Sequence, residues 1–216
     1  LGEGARLERI VLLDEPADAI SISFAEIDLK AGARLGQTVI ASGARLQRHE
    51  THVRHPGGGA EVRLDGLYLL DGKRHADLTT VLAHIAPDGT TNQLTKGLVK
   101  DQARGVFQGR ILVEQRADRT DARMGHHALL LNDGAEVDAK PELEIYADEV
   151  ACAHGNTLGS LDEQALFYMR SRGLPDHDAR ALLMQAFVGE VVDRIEHEGA
   201  REGVAAWVAA RLEALA

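Results

Sequence analysis

The chain holds one thiol, Cys152, and it stands two residues before an imidazole, His154. Side chains in an extended segment repeat with period two, so Val150, Cys152 and His154 share one face. A thiol and an imidazole side by side at a strand end form a soft ligand pair, suited to a transition metal. One thiolate cannot hold a metal cluster, which takes about four ligands, so a second molecule would have to complete the shell. The plainer readings are a small buried hydrophobe for Cys152 and a hydrogen-bonded structural histidine for His154.

Other groups invite chemistry less strongly. His49, His52 and His55 lie in His-Glu-Thr-His-Val-Arg-His, one residue off the His-Glu-x-x-His spacing of a zinc site. Whether His49 and His55 share a face depends on whether the segment bends, and a solvated surface is the simpler expectation. His126 and His127 are consecutive and would point to opposite faces of a strand, a poor chelate. Gly57-Gly58-Gly59 has no following Lys, so it reads as a chain corner and not a phosphate cradle. Glu142, Glu144 and Asp148 would line one polar strand face. That face is either a solvated edge or the paired carboxylates of a carbohydrate-active enzyme, a lyase or hydrolase.

The elements that position these residues change character along the chain. Up to about Cys152 short apolar runs recur between Gly, Asp and Asn turns: Ile10 to Leu13, Val62 to Leu70, Phe107 to Val113, Leu129 to Leu131 and Leu143 to Ala147. Ile20, Ile22 and Phe24 alternate with Ser21 and Ser23, and Ile27 and Leu29 follow in the opposite phase, which predicts a bend near Ala25. A signature Gly-Ala-x-(Leu or Val) starts at Gly4, Gly32, Gly43, Gly59 and Gly134. A small residue at a corner followed by an inward aliphatic suits a stacked β-coil, and a β-sandwich is the competing architecture. Past Gly155 the period becomes helical. Ser160 and Glu163 match a capping box, predicting a helix from Leu161 to about Ser171 that Gly173 stops. Pro175 opens a second helix with a stripe of Ala179, Leu182, Leu183, Ala186, Phe187, Val191, Val192 and Ile195. Gly199 predicts a break, and Val204, Trp207, Val208, Leu212 and Leu215 form the face of a last helix. The expected division is a β body over 1–156 and a helical domain over 157–216.

Composition narrows the function classes. The 216 residues carry a formal charge of -10, so an acidic surface repels phosphate backbones and nucleic-acid binding is not expected. A lone cysteine leaves no internal disulfide and fits a reducing compartment. No apolar run approaches the roughly 20 residues that span a bilayer, which makes a cytoplasmic location the expectation. Aromatics are only 4% of the chain, which predicts an aliphatic core. The first residue is Leu1 and strand-like sequence follows almost at once, as in a piece of a longer polypeptide.

Several stretches taken together resemble a known family. They are Ala135-Glu136-Val137-Asp138, Lys140-Pro141-Glu142-Leu143-Glu144-Ile145, Cys152-Ala153-His154-Gly155, Leu161-Asp162-Glu163, Phe167-Tyr168-Met169-Arg170-Ser171-Arg172-Gly173 and Ala186-Phe187. Ala103 to Arg110, His84-Ile85-Ala86-Pro87 and Thr90 to Leu94 add to them. This pattern is similar to the SufB/SufD family of SUF-system iron–sulfur cluster assembly proteins, in its SufD form, without the family's N-terminal region. The resemblance covers the final two thirds strongly and the opening weakly. It implies a right-handed parallel β-helix followed by a C-terminal helical domain. It also implies a non-catalytic scaffold subunit that pairs with a SufB-type paralogue and docks a SufC-type ATPase through its helices. No Gly-x-x-x-x-Gly-Lys-Ser/Thr is present, so no nucleotide site is expected here. The matching histidine, His154, would lie at the paralogue interface as a metal ligand, with Cys152 beside it, where a transient, shared iron–sulfur cluster forms. A homodimer through an exposed coil end is a further expectation for the isolated chain.

Overall fold

The computed structural model describes residues 1–216. Eleven strands come first: β1 (Arg6–Leu13), β2 (Ile20–Asp28), β3 (Arg34–Ala41), β4 (Leu46–His55), β5 (Glu61–Leu70), β6 (His75–His84), β7 (Thr90–Val99), β8 (Arg104–Val113), β9 (Thr120–Leu130), β10 (Glu136–Ile145) and β11 (Val150–Gly159). Three helices follow: α1 (Glu163–Ser171), α2 (Asp176–Val192) and α3 (Glu198–Leu215). Each strand pairs in parallel with the strand two places along. Odd strands stack in the order β1-β3-β5-β7-β9-β11 and even strands in the order β10-β8-β6-β4-β2. The result is a β-solenoid, the stacked coil and not the sandwich. The last strand ends at Gly159, three residues past the expected boundary.

The recurring Gly signature marks the corners. Gly4, Gly32 and Gly59 stand two residues before β1, β3 and β5 with φ of 63°, 64° and 68°. A side chain at positive φ meets its own backbone, so Gly is the low-cost choice there. In later turns the same corner is held by Asp88 (φ 63°) and Arg119 (φ 57°), which is why the motif is spaced irregularly. Amide-to-carbonyl bonds stack these corners, as from Gly32 to Gly58 and from Asp88 to Asp118.

Alternate side chains of every strand enter the lumen. Val62, Leu64, Tyr68 and Leu70 of β5 are buried there, and Phe107, Ile111 and Val113 of β8 pack among the same interior clusters. The phase change in β2 is not a bend. The strand runs unbroken from Ile20 to Asp28, and Ser21, Ser23 and Ile27 sit on one face while Ile20, Ile22 and Phe24 point to solvent. Those serines face inward because the lumen is partly polar: the Ser23 hydroxyl bonds Nδ1 of the buried His49 at 2.7 Å.

The helices cover the outer face of the odd sheet. Ile40, Leu67, Leu69, Leu94 and Leu98 meet Met184, Val188, Val191, Leu212 and Leu215 in one apolar layer. Strands β5 and β7 are thus buried on both faces, and the continuous run Leu67 to Leu70 follows from that. Polar latches reinforce the packing. The Glu8 carboxylate accepts from the amides of Glu196 and His197, and Trp207 Nε1 donates to Asp14 at 3.0 Å. Lys100 Nζ donates to the Leu215 carbonyl at the end of α3.

Three helix expectations change. Asp162, not Ser160, caps α1, accepting from the amides of Gln164 and Ala165. Gly173 does carry the left-handed stop, at φ 93°. In α2 the buried stripe is Ala179, Met184, Val188, Val191 and Val192, followed by Ile195, while Leu182 and Ala186 are exposed. The seat of α2 between the sheet and α3 turns the face away from the one that spacing alone selects. The break before α3 falls at 193–197, and Gly199 lies in the first turn with His197 as N-cap. No helix is long and apolar enough to cross a membrane.

Candidate functional site

Strand β11 is the last of the odd sheet and pairs only with β9. The register sets Cys152 on Ala122, His154 on Met124 and Asn156 on His126. Ala122, Met124 and His126 are buried lumen residues. Cys152, His154 and Asn156 therefore continue the lumen row, yet His154 and Asn156 are exposed because no further coil stacks on them. The His154 imidazole has no hydrogen-bond partner and lies exposed on the lumen face at the open end. The period-two reading of Cys152 and His154 as one face agrees with this register.

Cys152 is half-buried against the interior cluster that includes Ala122 and Met124. Burial pushes its thiol up, the backbone of Ala122 offsets part of that, and the Asp121 carboxylate adds to it. The group is a thiol near neutral pH, and a ligand only once a metal displaces its proton. No three His, Cys, Asp or Glu side chains gather anywhere in the chain to hold a metal ion. The open end thus offers two donors on one face and space for ligands from another molecule.

The even sheet ends beside it at β10, which pairs only with β8. Pro141 interrupts this edge, a residue that β-sheets confine to edges and strand ends. Glu142 is bridged by Lys140 and Glu144 by Arg110, on the outer face, while Asp148 lies beyond the strand. The three carboxylates do not converge on a shared reacting position.

The remaining histidines separate. His49 and His55 are both buried in the lumen, not solvated, since an even separation on an unbent strand puts them on one face. His52 points outward, bonded to Glu50 and edge-on to Phe24. His55 meets His84, whose other nitrogen bonds Thr91 at 3.0 Å. Burial holds His49 and His55 at about 4, and burial plus the neighbouring His55 holds His84 at about 3. Gly57 packs directly on the backbone of Ala31, as a corner does. His126 is sealed in the lumen, stacked on Phe107 at 4.7 Å, while His127 lies on the opposite face.

Two residues of the site were not singled out from sequence. Asn156 follows His154 by two, so the period-two pattern holds the signal. Met124 lies beneath His154 only through coil stacking, which spacing does not reveal.

A family model described as "SUF system FeS cluster assembly, SufBD core domain" matches residues 1–187. The chain belongs to the SufBD family. A SufBD-family iron–sulfur cluster assembly protein of Synechocystis is 37% identical over 195 residues, covering 90% of this chain and 43% of that one. The iron–sulfur cluster assembly protein SufD of Escherichia coli is 36% identical over 211 residues, covering 96% and 49%. A SufBD-family protein of Mycobacterium bovis is 32% identical over 219 residues, covering 98% and 55%. The chain spans about half the length of these curated relatives.

Proposed function

We propose that this SufBD-family chain is the solenoid and helical tail of a non-catalytic scaffold subunit for iron–sulfur cluster assembly, of the SufD kind. The observation that carries it is the placement of His154 and Cys152 on the exposed lumen face of an edge strand. Edge strands β10 and β11 leave unpaired backbone groups that another parallel solenoid can continue. A SufB-type paralogue stacked there would bring its own ligands opposite His154. His154 would supply an imidazole nitrogen, and Cys152 a thiolate, to a nascent cluster shared across that interface. A neutral imidazole is a ready iron ligand.

The helical tail would dock a SufC-type ATPase. Phe167 and Tyr168 on α1 and Leu182 on α2 are exposed large apolar side chains, and such anchors suit a groove on a partner. Nucleotide hydrolysis would take place on that partner. A cytoplasmic setting fits the lone cysteine. Cluster formation on the assembled complex, compared between wild type and His154→Ala, tests the reading. Loss of cluster with the complex intact is expected; full cluster yield from His154→Ala would refute the role of this residue.

A further inference from the structure

The consecutive histidines that make a poor chelate have another use. Because they are adjacent on β9, they reach the edge strand from opposite faces. On the lumen face His126 Nδ1 lies 2.7 Å from Asn156 Oδ1, and its Nε2 lies 2.8 Å from the Tyr68 hydroxyl. An amide oxygen only accepts, so Nδ1 carries the proton and donates to Asn156, and Tyr68 donates to Nε2. The ring is stacked on Phe107 at 5° between planes. Gly97 and Gly105 crowd the Tyr68 ring, so the whole relay is fixed. On the outer face His127 Nδ1 lies 2.7 Å from Thr157 Oγ1. His127 is in register with Lys96, whose ammonium bonds the Phe187 carbonyl at 2.9 Å and Glu190 at 2.5 Å on α2. Burial keeps both imidazoles below the usual histidine range, so each has one donor and one acceptor nitrogen at neutral pH.

We infer that His126 and His127 are positioning residues that bolt the edge strand β11 from both sides, through Asn156 and Thr157, and so hold the orientation of the Cys152–His154 face. The outer bolt stands beside the ion pair that anchors α2, so the helical tail and the interface strand share one contact. The link to cluster assembly rests on the reading of His154 given above; the clamp itself does not.

Cys152 is the chain's sole thiol and lies on the clamped strand, so its alkylation rate reports opening of β11. The variants Asn156→Ala and Thr157→Val alter exposed edge positions, which leaves the interior packing in place. Each is expected to speed iodoacetamide labelling of the 216-residue chain about fivefold, the loss of one side-chain hydrogen bond, with the urea midpoint lowered by no more than that one bond accounts for. Thr157→Ser keeps the hydroxyl and should label at the wild-type rate. Labelling of Asn156→Ala and Thr157→Val within twofold of wild type would overturn the clamp, as would equal acceleration by Thr157→Ser. If labelling accelerates but the assembled complex forms clusters normally, the clamp stands and its link to the His154 site is refuted, while His154→Ala decides that site separately.

Discussion

Replacing Gly97 by alanine adds one methyl group where the structure has no room for it. A Cβ there overlaps Cε2 and Cζ of Tyr68, and Gly105 already packs so closely on the same ring that a Cβ on it would stand 2.5 Å from Cε2. Tyr68 is fully buried, and its hydroxyl bonds His126. Overpacking of a tight interior costs about 1–3 kcal/mol. If the ring shifts, a buried imidazole loses its partner at a further cost of about 1–3 kcal/mol. Gly97→Ala is therefore expected to destabilise by about 2–6 kcal/mol, read as a lower urea midpoint at unchanged slope. The double variant Gly97→Ala with Tyr68→Leu removes the clashing atoms, so it should be more stable than the sum of the two single variants by at least about 1 kcal/mol. A single variant within about 0.5 kcal/mol of wild type, or strict additivity in the cycle, would show that the lumen is looser than these contacts require.

Further expectations follow from the same geometry. His49, His55 and His84 have native pKa values near 4, 4 and 3, below the unfolded value of about 6.5. The unfolded chain binds their protons first, so stability is complete above about pH 6.5 and falls as pH drops toward 4, by about 1.4 kcal/mol per pH unit for each histidine. Urea midpoints measured from pH 7 to 5 check this, with His49→Gln giving a shallower slope; a flat profile counts against burial of these rings. Asp162→Ala removes the α1 cap and should cost that helix about 1 kcal/mol, seen as faster amide exchange in 163–171 alone. Phe167→Ser with Tyr168→Ser should weaken capture of a SufC-type ATPase at least about tenfold without changing the urea midpoint, since both side chains are exposed. Undiminished capture would move the docking surface elsewhere.

What the amino-acid order reveals depends on how local the determinant is. Gly4, Gly32 and Gly59 announce corners because positive φ selects glycine at the residue itself. Asp88 and Arg119 hold equivalent corners with no such mark, so the coil repeat looks irregular. Ile20, Ile22 and Phe24 are the apolar phase of β2, yet they face solvent, because Ser23 in the other phase bonds the buried His49 and Ser21 bonds Glu15. That choice is made by the neighbouring coil, which lies far along the chain. The α2 stripe holds at Ala179, Val191, Val192 and Ile195 but misses at Leu182 for a similar reason: Leu182 and Met184 are equally apolar, and only the seat of the helix on the odd sheet decides which is covered. Cys152 and His154 were legible because period two acts within one strand. Their exposure, and the Met124 and His126 layer beneath them, depend on coil stacking.

The aromatic block of Tyr68, Phe107 and His126 has a consequence for traffic. These three rings, all sealed from solvent, stack together inside the tube, and the void beside Gln37, His49 and Gln93 is only about 20 Å³, room for a single water. The solenoid is a stoppered rod, not a pipe. His154 is therefore reached from the open end, not along the tube.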